Sequence, residues 1–235
     1  MLVSRILGMV VLSSWLAGGC GGDSPKSLVC GPSGSPASLP MDGSGWVPAS
    51  SNPYCIQGEW KWTTDAVLSG GQGVYTGLVA NAPPYVEGSG MCIKGSSPGG
   101  EADNYQTWGA NVYLLLNQSA PGAVGAPLKP GPQCFTITVA GSSPGGISGM
   151  LCPQTRGGMG IVCPQKDLVV GPNEVCVDNV TLPSFCSTTT RPNTTCYDPS
   201  QLSNGIVGTT VQGSAGATGG VIDFCVTSIV PHDHL

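Results

Sequence analysis

The sequence predicts an all-β protein: a two-sheet β-sandwich of jelly-roll type, stapled by disulfides, that follows an N-terminal signal peptide and a flexible tether. Three observations carry this expectation. Short apolar runs recur between Gly- and Pro-containing turns, in a chain of 235 residues with 37 glycines and 21 prolines. No long stretch shows the period of an amphipathic helix. The chain has 11 cysteines, a density that suits an oxidising compartment rather than a reducing one.

The N-terminus supplies that compartment. Arg5 precedes the apolar run Ile6–Leu16, and the small residues Ala17, Gly18 and Gly19 follow. This is the layout of a secretory signal peptide over residues 1–19, and the run is shorter than the ~20 residues that a bilayer requires. Cys20 sits where a bacterial lipobox places the cysteine that becomes acylated. The lipobox is relaxed, because Ala17 holds the position where leucine is commonest, and ordinary cleavage after Gly19 is the alternative. Gly21, rather than an aspartate, follows Cys20, which favours the outer membrane. With Cys20 set aside, ten cysteines remain, enough for five disulfides whose connectivity is open at this stage.

Residues 20–45 are rich in Gly, Ser and Pro and read as a tether, with Cys30 pinning it to the folded part. A single domain is expected over 46–235. Strand-like segments are Cys55–Trp62, Gly73–Ala80, Met91–Lys94, Asn111–Leu116, Cys134–Ala140, Met159–Val162, Val175–Val180, Ile206–Val211 and Val221–Ile229. Phe135, Ile137 and Val139 alternate with threonines, which places them on one buried face. The stretch 150–197 carries Cys152, Cys163, Cys176, Cys186 and Cys196 among interleaved prolines. It reads as a loop-rich region held by disulfides rather than by core. No C-x-x-C pair suggests zinc.

Charge excludes one partner class. The net charge is −5 with only 8 basic residues, scattered rather than clustered, so nucleic acid is not an expected partner. Mean hydropathy is +0.14, too apolar for a disordered chain.

The hexapeptide GSSPGG occurs twice, at Gly95–Gly100 and Gly141–Gly146, and each copy contains G-x-S-x-G. A hydrolase elbow needs the residue after the serine to offer a backbone N–H to an oxyanion. Here Pro98 and Pro144 follow Ser97 and Ser143, and proline has no N–H. Both copies therefore read as turns, and no catalytic residue is assigned. His232-Asp233-His234 could touch a metal but reads as a mobile terminus. Glu59, Glu87, Glu101, Asp103, Glu174 and Asp178 show no spacing that nominates a glycosidase pair.

Binding is the better expectation. Trp60 and Trp62 lie at i and i+2, on one face of a strand, and Tyr105 lies close to Trp108. Exposed indoles and phenols offer apolar faces on which sugars stack, although a sandwich also uses tryptophan as core. Asp103 and Asn104 are hydrogen-bonding partners for such a ligand. The loop Glu101–Asn104 could also hold calcium, though a solvated loop needs none and no cofactor is assigned.

Four stretches in order carry a resemblance: Asn52-Pro53-Tyr54-Cys55-Ile56-Gln57-Gly58, Met91-Cys92-Ile93-Lys94-Gly95, Trp108-Gly109-Ala110-Asn111-Val112-Tyr113-Leu114-Leu115-Leu116-Asn117, and Ile222-Asp223-Phe224-Cys225-Val226. The chain resembles secreted or lipid-anchored proteins common in myxobacteria, with carbohydrate-binding jelly rolls similar to galactose-binding-like modules. The resemblance implies a Cys92–Cys225 disulfide. Cys55 departs from it, standing where that pattern has glycine, which implies an added disulfide. The cysteine-rich stretch departs from it as well.

The expectation is an exported, lipid-anchored, non-catalytic protein of the outer membrane or cell surface that binds a polysaccharide or cell-surface glycan. It would meet membrane only through its anchor; a periplasmic or extracellular location is the alternative. A structural or adhesive envelope protein is the second functional reading, and a glycoside hydrolase or lyase the third.

Overall fold

In a computed structural model the described residues are 29–34, 38–67, 71–80, 82–88, 90–99, 108–128, 131–153, 161–183, 186 and 195–233. They form two antiparallel sheets packed face to face, the predicted sandwich. The strands are β1 (Trp46–Val47), β2 (Gly58–Thr64), β3 (Val74–Thr76), β4 (Tyr85–Glu87), β5 (Gly90–Ser97), β6 (Gly109–Leu115), β7 (Cys134–Ser142), β8 (Ile147–Cys152), β9 (Ile161–Val162), β10 (Gln165–Leu168), β11 (Gly171–Cys176), β12 (Thr195–Cys196), β13 (Gly208–Ser214) and β14 (Gly220–His232).

The first sheet runs β1-β2-β6-β13-β8-β10 and the second β11-β7-β14-β5-β3, with β4 also on β5. Successive strands β5, β6, β7 and β8 alternate between the two sheets, as do β13 and β14. β13 lies between β6 and β8, and β14 lies between β7 and β5. One late segment is thus central to both sheets.

Side-chain alternation fills the space between them. Phe135, Ile137 and Val139 of β7 are buried as expected, and they meet Val112, Leu114, Leu151 and Val211 in a common core. β14 changes parity partway. Ile222, Phe224 and Val226 point inward, and so do Ile229 and Pro231, because a register shift between Val226 and Ser228 inserts one residue. That bulge reverses which face odd positions occupy, and so both apolar sets reach the core.

Two expectations are corrected. The folded unit does not begin at Trp46. Leu39 is 1% exposed and belongs to the core. Its N–H donates to Ile229 O, and Trp60 Nε1–H donates to Pro40 O. Two isolated apolar residues, Leu39 and Met41, are thus enough to dock what reads as linker. Nor is the cysteine-rich stretch held by disulfides rather than core. It supplies the end of β8 with β10 to one sheet and β11 to the other, and Leu168, Val175 and Val180 are core residues. The strand expected at Val175–Val180 lies earlier, at Gly171–Cys176. A turn follows it, with the Asn179 side chain accepting from Cys176 N–H.

Five disulfides join Cys30 to Cys55, Cys92 to Cys225, Cys134 to Cys176, Cys152 to Cys163 and Cys186 to Cys196. Cys92–Cys225 is the pair that the resemblance implied, and it ties β5 to β14. Cys55 has φ 54°, a left-handed conformation that glycine adopts more cheaply. The Asn52 side chain braces that bend by hydrogen bonds to Ile56 N and O, both 2.8 Å.

The edge strand β11 is capped by its own neighbours. Lys166 Nζ and Asn179 Nδ2 both donate to Glu174 O, and Asn173 Nδ2 donates to Gly171 O. The two bonds to Glu174 O occupy an edge carbonyl that would otherwise be free to pair with another chain.

Loop length ranks the disulfides. Cys92–Cys225 closes a separation of 133 residues and Cys186–Cys196 one of 10. Replacing the first pair by alanines is expected to cost about 5 kcal/mol and the second pair about 3 kcal/mol, read as unequal shifts in denaturant midpoint. Equal losses would contradict this ranking.

Candidate functional site

The strands define two poles. At one, β2 begins and β6 and β14 end, next to the Cys30–Cys55 bridge. At the other, three connections cross between the sheets side by side: β5 to β6, β13 to β14, and β7 to β8. Loops on a rigid scaffold are where sandwiches place binding groups, and the expected residues Asp103, Asn104, Tyr105 and Trp108 all belong to the β5–β6 connection.

Residues 95–99 of the first GSSPGG copy and all of the second lie at this second pole, on either side of the β13–β14 turn. Gly99 and Gly219 have φ 74° and 66°, and a Cβ on either would overlap the backbone of the other connection. On the opposite flank Gly145 N–H donates to Ser214 O, and Ser214 N–H donates to Gly146 O. The repeated spelling reflects two equivalent seats against one turn. The serines are committed to structure: Ser143 Oγ–H donates to Ser214 O at 2.5 Å, and Ser97 Oγ–H donates to Asp65 Oδ2 at 2.7 Å.

Asp65 is the residue that sequence reasoning missed. It follows β2, has no accessible surface, and accepts through Oδ2 from Ser97 Oγ and from Gly109 N–H at 3.1 Å. Ser97 is the last residue of β5 and Gly109 the first of β6. One buried carboxylate therefore clamps both stems of the connection that carries the expected binding residues. Its second oxygen, Oδ1, and Tyr75 Oη are buried without a hydrogen-bond partner. Gly73 lets them share a pocket, since a Cβ there would overlap both Asp65 Oδ1 and the Tyr75 ring. Burial, and then the nearby negative charge of Asp65, push the Tyr75 phenol far above its ordinary range, so it stays neutral.

The tryptophans divide. Trp60 is corrected: at 2% exposure it is core, with its indole N–H tied to Pro40 O, and it offers no face for stacking. The i, i+2 spacing did put Trp62 on the same side of β2, but that side faces inward, and Trp62 is half-buried against the core. Trp108 is half-buried at the head of β6, where its carbonyl accepts from Ala215 N–H. Asp103, Asn104 and Tyr105 lie outside the described residues, as do Glu101 and Cys20.

Other chemistry-bearing groups are placed as follows. His232 is not in a loose tail. It ends β14, with Nε2 3.1 Å from Thr136 Oγ1 and 3.8 Å from Glu174 Oε1. Glu59 pairs with Lys61, and Glu87 with Lys94. No protein-family model and no curated protein matches the chain.

The clamp has two consequences. Asp65→Ala strands a buried hydroxyl and a buried N–H, and is expected to cost about 3 kcal/mol, against about 1 kcal/mol for Ser97→Ala. Similar losses for the two variants would contradict the shared acceptor. The second concerns alkali. The unfolded phenol titrates near pH ~10, whereas folded Tyr75 remains protonated above that. Its stabilising contribution is complete below pH ~10 and falls as pH rises beyond it, by up to ~1.4 kcal/mol per pH unit. Brief denaturant titrations at pH 9 and 11 should show a smaller loss for Tyr75→Phe than for the parent; an equal loss would refute it.

Proposed function

We propose that the protein is an exported, lipid-anchored, non-catalytic surface protein that binds carbohydrate through the crossover pole. The observation that carries this reading is the Asp65 clamp on both stems of the β5–β6 connection. A connection with fixed ends loses less conformational freedom on meeting a ligand, and that lowers the cost of binding. Trp108 stands at one stem, with Tyr105, Asp103 and Asn104 between the two. Aromatic, neutral and acidic hydrogen-bonding residues drawn from one connection suit a polyol. Chain composition agrees, because at 9% charged residues the protein offers little to a highly charged partner.

Anchor and site are arranged compatibly. The segment leading from Cys20 enters the fold at the Cys30–Cys55 bridge, at the far pole. A lipid at Cys20 would hold that end at the membrane and direct the crossover pole outward. Export is supported by five disulfides and by the signal-like N-terminus.

One observation favours the second reading, a structural or adhesive envelope protein without a small ligand. Trp60 is buried, which removes one of the four expected aromatic platforms.

Carrying Cys20→Ser, so that it is exported without acylation, the full chain should be retained saturably by an insoluble polysaccharide, with and without chelator. Trp108→Ala should weaken retention about tenfold, in the range of a lost aromatic stacking contact. Failure of the folded chain to bind any of a broad polysaccharide set would favour the envelope reading.

A further inference from the structure

The outer face of the first sheet carries a row that the loop residues do not account for. The registers place Thr63 opposite Asn111, Asn111 opposite Gln212, Gln212 opposite Ser148, and Ser148 opposite Asp167. Five adjacent strands, β2, β6, β13, β8 and β10, thus each present a hydrogen-bonding side chain along one line. At ~4.8 Å between neighbouring strands the line is about 19 Å long. It lies two residues below the Gly109 stem and is continuous with the crossover pole.

Polar outward residues are ordinary in a sandwich. Asn111 is not. It is 3% exposed, and its Oδ1 has no hydrogen-bond partner. A buried carbonyl oxygen without a donor is costly, whereas its neighbours Thr63, Gln212 and Ser148 are half-exposed and Asp167 is exposed. The orphan acceptor therefore lies within a line whose other donors and acceptors are accessible. Four of the five side chains are uncharged, and each except Thr63 and Ser148 offers a carbonyl or carboxylate oxygen to a hydroxyl.

We infer that this row is an extended subsite for a neutral polysaccharide chain, laid across the strands, with Asn111 Oδ1 accepting from a sugar hydroxyl. This rests on the carbohydrate reading above and specifies the ligand as a polymer rather than a single sugar. The row meets several sugar units at once.

Native gels cast with soluble neutral polysaccharides (a β-glucan, an α-glucan, a galactomannan and a xylan) test it on the full chain carrying Cys20→Ser. The parent should be retarded in at least one gel. In that gel Gln212→Ala and Ser148→Ala, each losing one hydrogen bond, should raise Kd about threefold to tenfold. Asn111→Ala should do the same or more. Because Asn111 is buried, the two half-exposed positions decide the outcome if that variant fails to fold. Should Trp108→Ala weaken retardation while Gln212→Ala and Ser148→Ala match the parent, the row is overturned and the carbohydrate reading stands. Should the folded parent move freely in all four gels, both are overturned.

Discussion

The structure depends on one placement: β13 and β14, the last two strands, occupy the centre of both sheets. β13 completes the hydrogen bonding of β6 and β8, and β14 that of β5 and β7. Neither sheet can close until residues 208–232 are seated, so the contacts that matter most are non-local. Folds of this kind pay a large loop-closure entropy before their contacts form. The Cys92–Cys225 bridge acts where that cost is greatest, joining β14 to a strand 133 residues earlier in the chain. The docking of Leu39 on Ile229 brings the N-terminal approach to the same strand.

The same segment organises the candidate site. The β13–β14 turn is the wall against which both GSSPGG turns are seated, and the β5–β6 connection starts from one of them. Glycines at 99 and 219 permit the approach, and Asp65 then holds the stems. Rigidity at this pole is therefore a product of backbone proximity and one buried carboxylate.

Much of the sandwich was legible in the sequence, and the failures have definite causes. β7 was plain because its buried and solvated positions alternate without interruption. In β14 the apolar residues at 222, 224 and 226 give way to 229 and 231, and that parity change is the mark of the bulge. β8 was hidden because Gly149 replaces an inward apolar residue, its place filled by Val175 and Leu168. β10, Gln165–Leu168, is an edge strand with a charged sequence that shows no alternation. For the site, spacing correctly put Trp60 and Trp62 on one face but could not say that this face was the core. Asp65 left no signature, because a lone carboxylate becomes meaningful only when two strand ends from the other side of the turn reach it.

The proposed ligand contact is confined to the crossover pole and to the sheet row beneath it. Amide hydrogen exchange, read peptide by peptide with and without a polysaccharide that retards the protein, tests this most directly. The account predicts slowed exchange in 98–108 and 143–148 and across 211–219, with residues 30–56 unchanged. Slowed exchange at 30–56, with none at the crossover pole, would contradict it.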